Sequence, residues 1–288
     1  MDNEIAAKLA GIPGWLRGFG EAKLKERIFN LGMLTGWKKK EDGGFGPANF
    51  ERALILTKLV ELICPGEALE VGTGRGLGCL AMASAAQELG IDLKITSLDI
   101  NTPNLKQTWP IRLSGKDQVI NASVEEVWAA HISNDLRKNI KFVTGSTTST
   151  MAALAADGKK FDLIFIDAGH DAHSVIHDLA RSITLLNPGG VVLMDDFAPL
   201  DEYGLGTCLA IPHARRFFRY VNVFHTEGLV YGGSDNPEFP RAMVLLAGPG
   251  KTEGAGGMFS MAVWRLADVM LRYLYKPKSF PLKAPEGK

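Results

Sequence analysis

The stretch Glu70-Val71-Gly72-Thr73-Gly74-Arg75-Gly76-Leu77-Gly78 decides how the rest of the chain reads. It follows a short apolar run, Ala68–Val71, and opens an alanine-rich segment from Leu77 to Leu89. A glycine-rich turn from a strand into a helix lets the backbone approach a ligand and aims free N–H groups at it. The dinucleotide fingerprint Gly-x-Gly-x-x-Gly fails in both frames: the sixth position is Leu77 counted from Gly72 and Cys79 counted from Gly74. The acid at the strand end, Glu70, disfavours a pyrophosphate and suits a cationic or amino-acid ligand. A tight turn with no ligand is the alternative, and four alternating glycines weigh against it.

Working outward, further short apolar runs lie at Ile95–Leu98, Ile140–Val143, Leu163–Ile166 and Val191–Met194. Such runs, ending near Gly or Asp and separated by helical stretches, predict buried parallel strands in a doubly wound α/β sheet. Helices are expected from Asn49, as cap, to Ile63, over Leu77–Leu89, and after Ser174, as cap, up to Asn187-Pro-Gly-Gly190. The segment 101–139 exceeds one crossover; it predicts Trp109-Pro110 in a loop and a helix around Val124–Leu136. A helix near Ala214–Arg219 and strands at Val221–His225 and Ala242–Leu246 complete the series. Three parts result: a helical segment 1–66 that caps the site or forms a dimer interface, a core 67–250, and a tail 251–288 with an amphipathic stripe. That stripe is Met258, Met261, Leu266, Met270 and Leu274.

Composition narrows the classes. Basic and acidic residues both number 32, so a global polycation for nucleic acid is excluded. Residues 1–40 carry eight basic against four acidic side chains, which reads as a solvated helical face before it reads as a binding patch. Three cysteines, Cys64, Cys79 and Cys208, at long spacings suggest neither a disulfide framework nor a zinc site and fit a reducing, cytoplasmic setting. No secretory leader is legible at Met1, and Arg265, Asp268 and Arg272 interrupt the longest apolar stretch, so no membrane span is expected.

Other strand tips also carry acids. Asp99 follows the second strand about 25 residues after the glycine loop, where it could accept hydrogen bonds from ribose hydroxyls or simply cap its own turn. Gly145 and Ser146, after the third strand, could line an adenine pocket or start a helix. With Phe161-Asp-Leu-Ile-Phe-Ile-Asp167 and Asn187-Pro-Gly-Gly190, these motifs are similar to those of class I S-adenosylmethionine-dependent methyltransferases over about residues 67–200. The resemblance implies a seven-stranded Rossmann-like sheet with an antiparallel last strand. It also implies S-adenosylmethionine bound by Glu70, Gly72, Thr73, Gly74, Gly76, Asp99, Gly145, Ser146 and Asp167.

Two further tips, Asp167 and Asp195-Asp196, would lie side by side in the crevice of a parallel sheet. Two carboxylates about 4 Å apart repel by roughly 4 kcal/mol at an effective dielectric near 20, which a cation or a shared proton relieves. Three such oxygens favour magnesium, manganese or calcium over zinc. Successive strand residues face opposite sides, however, so Asp195 and Asp196 need not meet. The 28- and 29-residue gaps from Asp167 resemble those of metal-dependent O-methyltransferases of the catechol and macrolide-sugar types. In those families a base follows the first aspartate closely; here the third position is His170, chemically suited by an unperturbed pKa near 6.5. His173 and His177 share a helix spacing but lack a third ligand nearby.

The expectation is therefore an enzyme that moves a methyl group to a small-molecule hydroxyl, assisted by magnesium or manganese on Asp167, Asp195 and Asp196, with His170 as base. The alternatives are metal-free N- or O-methyl transfer through His170, a binding module without turnover, and a nicotinamide oxidoreductase. Phe45, Trp15 and Trp37 are candidates for an acceptor pocket, and Gly43–Pro47 for a lid.

Overall fold

A computed structural model describes residues 2–39, 45–47, 50–198, 204–226 and 242–249. The chain divides into a unit Met1–Gly250 and a segment Lys251–Lys288; the latter, with the expected C-terminal stripe, lies outside the described residues. Seven strands form the main sheet: β1 (Glu67–Val71), β2 (Lys94–Asp99), β3 (Ile140–Thr144), β4 (Phe161–Ile166), β5 (Leu186–Phe197), β6 (Phe218–His225) and β7 (Ala242–Pro249). Their order is β6-β7-β5-β4-β1-β2-β3. Neighbours from β5 to β3 pair in parallel, and β7 runs antiparallel between β5 and β6. The sheet is thus the expected one, with its last strand reversed.

Ten helices accompany it among the described residues: α1 (Asp2–Ala10), α2 (Ile12–Arg17), α3 (Ala22–Thr35), α4 (Phe50–Ile63), α5 (Leu77–Leu89), α6 (Val124–His131), α7 (Asn134–Arg137), α8 (Thr147–Ala156), α9 (Ala172–Leu185) and α10 (Leu205–Phe217). Helices α3, α4, α5 and α7 contact one another as one set, and α8, α9 and α10 as another. α4 is buried nearly all round through its first two turns, from Phe50 to Leu56 except for half-buried Arg52. No helix among the described residues is long and apolar enough to cross a membrane.

Strand alternation sets up the site. In the core beneath α4 and α5 lie Ala68 of β1, Ile95 of β2, Leu163 and Phe165 of β4, and Leu193 of β5. With a period of two, continuing each row toward the strand tips places Glu70, Ser97, Asp99, Asp167 and Asp195 on that same face. Apolar rows that hold the sheet to α4 and α5 therefore end in carboxylates at one edge.

Local details differ from expectation for physical reasons. Trp109-Pro110 lies not in a loop but in an antiparallel hairpin, Gln107–Leu113 with Lys116–Ala122, where Trp109 is fully buried. Proline sits there in an isolated two-stranded ribbon, where a missing donor is tolerated. The helix expected over 124–136 is two, because Ser133 caps a new start by accepting the Leu136 N–H. Asp171, not Ser174, caps α9, accepting the Ser174 N–H at 3.0 Å. Asn187-Pro-Gly-Gly190 follows α9 but lies inside β5. The helix placed near Ala214–Arg219 starts earlier, at Leu205, and Arg219 belongs to β6. Phe45–Pro47 pairs with Trp37–Lys39 as a short antiparallel ribbon. Asn49, Gly43 and the side chains of Trp37 and Phe45 lie outside the described residues. Trp15 packs edge-on against Phe19 and donates to Glu21 at 2.8 Å.

The α3–α4 contact gives a stability test. An added Cβ at Gly32 of α3 would sit 1.6 Å from the ring of Phe50, which is 1% exposed. Gly32→Ala is expected to cost about 1–3 kcal/mol by overpacking, despite the roughly 1 kcal/mol alanine gains in helix propensity. Urea midpoints check this; a midpoint raised by the substitution would contradict it.

Candidate functional site

The glycine loop is held by the acids around it. Gly72, at φ +98°, has its N–H on the Leu98 carbonyl at 2.8 Å, and an added Cβ would meet the Asp167 carbonyl oxygen at 1.9 Å. Glycine is required there because the loop crosses directly over the backbone of the β4 tip. Asp99 accepts the N–H groups of Thr73 and Gly74, each at 3.0 Å, on one oxygen and that of Asn101 at 2.8 Å on the other. Glu70, 1% exposed, lies under the loop; it accepts from Ser97 Oγ at 2.5 Å and from the Cys79 backbone in the first turn of α5. An acid at a helix N-terminus offsets its unsatisfied donors and its dipole. Thr73 Oγ1 and Ser97 Oγ, 2.6 Å apart, extend this network. Beside it lies a shallow cleft lined by Thr73, Gly74, Asp99, Asn101, Phe142 and Val143 among others. Gly145 follows at φ +150°, and Ser146 caps α8 by accepting the Ser149 N–H.

Across the loop, Asp167, Asp195 and Asp196 bring one carboxylate oxygen each to within 4.8 Å of one another. Alternation alone would turn Asp196 away from its neighbour. It does not, because Asp196 adopts φ +56°, a left-handed conformation that aspartate tolerates better than most residues. Asp196 also lies 3.0 Å from His170 Nδ1, and His170 is 39% exposed while Asp196 is buried. The imidazole is therefore the most exposed member of the group. His177 contacts Asp178 instead, at 3.3 Å, and neither it nor His173 joins the cluster.

One residue had no forerunner in the motifs. Arg52 of α4 forks across the cluster, Nη1 to Asp167 and Nη2 to Asp195, and its guanidinium carbon lies 5.7 Å from the Phe165 ring centroid. Burial by itself would lower the Arg52 pKa; Asp167, Asp195, Asp196 and Glu70 outweigh it and raise it. Burial pushes Asp167 well above the usual carboxylate range, Arg52 pulls it back, and the neighbouring acids push it further up. The only foresign of Arg52 is a charged pair, Glu51-Arg52, in a first turn of α4 that is otherwise apolar.

Residues 69–197 match the model of a family described as a methyltransferase domain. Over that span, a little under half of the chain, the sequence is similar to a methyltransferase domain. Among solved structures, the fold is similar to an O-methyltransferase from Bacillus cereus in complex with SAH, at 14% identity and TM-score 0.50, covering 80% of this chain and 92% of that one. It is also similar to the O-methyltransferase TomG from Streptomyces achromogenes, involved in tomaymycin synthesis and in complex with SAM; there the identity is 17% and the TM-score 0.50, covering 68% of this chain and 79% of that one. No curated protein sequence matches. The matched span contains every cofactor, ion-ligand and base residue expected from the sequence and omits Arg52, which lies in α4 before it.

Within this domain Glu70 yields a pH test. Burial raises it from 4.5 to about 7. Between those values the folded chain keeps a proton that the unfolded chain has lost, so stability falls as pH rises through this window and levels above it. Glu70→Gln imitates the protonated form, and wild type should lose on the order of 3 kcal/mol relative to it from pH 4.5 to 8. Urea unfolding of both proteins across that range measures the difference; a constant difference would show that Glu70 ionises freely.

Proposed function

We propose that this domain takes a methyl group from S-adenosylmethionine and places it on a hydroxyl oxygen of a small molecule, with magnesium or manganese held by Asp167, Asp195 and Asp196. The observation carrying this reading is the convergence of three carboxylates and an accessible imidazole one backbone contact away from the glycine loop. The cofactor's sulfonium makes the methyl electrophilic already, so the protein has mainly to align the attack and prepare the nucleophile.

The cleft beside the loop supports a nucleoside site. A carboxylate offers about four acceptor positions. Asp99 uses three on backbone N–H groups, which leaves capacity for a ribose hydroxyl at the cleft wall. Phe142 and Val143 offer apolar surface to a base, while Gly145 and Ser146 stand just beyond. Thr73, Gly74 and Gly76 shape the loop, and Glu70 supports it from below.

The acid cluster fits a hard divalent cation by donor chemistry. Its three carboxylates and one guanidinium leave two formal negative charges, the number such an ion neutralises. The ion would supply Lewis acidity toward the acceptor hydroxyl. His170 takes the hydroxyl proton; Asp196 accepting from Nδ1 would leave Nε2 as the basic nitrogen. A second reading, transfer without an ion, draws on Arg52, because a guanidinium on Asp167 and Asp195 already supplies positive charge.

Asp196→Ala is expected to cut turnover by about 10²–10⁴-fold, because it removes an ion ligand and the partner that positions the His170 base, while SAH affinity by calorimetry stays within a few-fold. Excess chelator is expected to abolish turnover of wild type across a panel of vicinal and isolated hydroxyls. Full activity in chelator moves the assignment to the metal-free reading, and absence of SAH binding removes both.

A further inference from the structure

Resting on the divalent-ion reading above, we propose that Arg52 is a positioning residue that competes with the ion for Asp167 and Asp195. It holds the acid cluster together before the ion binds and yields those carboxylates when it does. The guanidinium spans two carboxylates from different strands, one nitrogen to each, rather than binding either in a fork. Those two carboxylates are also two of the three candidate ligands. An oxygen engaged by an arginine N–H gives a poorer electron pair to a cation, so the two occupants exclude each other in part.

Arg52 is built for release. Its Nε is buried with no hydrogen-bond partner among the described residues. The fork to the two acids and the face of Phe165 are thus its polar and π contacts. Asp196 is outside the fork and pairs with His170, so it is the natural first ligand for an arriving ion. Removing a partner from a buried ion pair leaves uncompensated charge, which is why the acids need Arg52 when no ion is present.

The test is Mn²⁺ binding to the full chain, read by the loss of the free-ion EPR signal, for wild type, Arg52→Lys and Arg52→Gln. Lysine keeps the charge but cannot span both carboxylates. Competition predicts affinity rising in the order wild type, Arg52→Lys, Arg52→Gln, with at least about a tenfold gap between the ends. It also predicts a larger rise in melting temperature on adding Mn²⁺ to Arg52→Gln than to wild type, through linkage between binding and folding. Should Arg52→Gln fold only with Mn²⁺ present, Arg52→Lys carries the comparison. Equal affinity of wild type and Arg52→Lys would mean that Arg52 acts through its charge alone and would overturn the proposal while leaving the metal reading intact. Binding by the variants but not by wild type would mean that Arg52 never yields the carboxylates, and would overturn both the proposal and the metal reading. No binding by any of the three would end both.

Discussion

Buried like charge at the strand tips is the constraint on which the rest of the site depends. Asp167, Asp195 and Asp196 gather within 4.8 Å because β4 and β5 are parallel neighbours and their apolar rows end at the same edge. Left alone, such a cluster would open, since each close pair repels by several kcal/mol even at an intermediate dielectric. Arg52 supplies the opposing charge from α4, and so ties a helix that precedes the matched domain to the sheet's working edge. The helix can serve this purpose because Phe50, Ala53, Leu54, Ile55 and Leu56 around Arg52 are apolar and buried, which fixes the arginine's height above Phe165.

A second group of acids solves a different problem. Glu70 and Asp99 hold backbone donors: Glu70 at the start of α5, and Asp99 at Thr73 and Gly74. Loops rich in glycine lose much conformational freedom on ordering. Fixing this one by carboxylate acceptors gives it a defined shape before any ligand arrives, and preorganisation of that kind lowers the cost of binding.

Much of this was legible in the sequence. Short apolar runs located all seven strands of the main sheet, and the alternating glycines located the loop. What failed had a physical pattern. Trp109 was placed in a loop because Pro110 discourages strands, yet an isolated ribbon tolerates the missing donor. Whether Asp195 and Asp196 could meet was open, because the left-handed turn at Asp196 depends on tertiary context that no local pattern encodes. Arg52 was invisible for a related reason: its partners are 115 and 143 positions away, and helix periodicity says which face is buried but not which strand it meets.

Gly72 joins the two halves of the site. Its missing side chain lets the loop lie on the Asp167 carbonyl, so the glycine loop and the acid cluster share one backbone contact. Transfer between two bound groups depends steeply on their separation and alignment, and a shift of about 1 Å can cost on the order of 10²-fold in rate. A side chain at position 72 would lift the loop away from Asp167 by more than that, since its Cβ would start 1.9 Å from the carbonyl oxygen. It would also force a non-glycine residue into φ +98°, so the loop could not relax without losing its hydrogen bond to Leu98. The spacing between the cleft and the acids is thus set by the backbone of β1 and β4, the buried centre of the sheet, and not by the side chains that line the crevice. Under the proposed methyl transfer, that division leaves the outer loops free to vary for the acceptor while the distance between cleft and acids stays fixed.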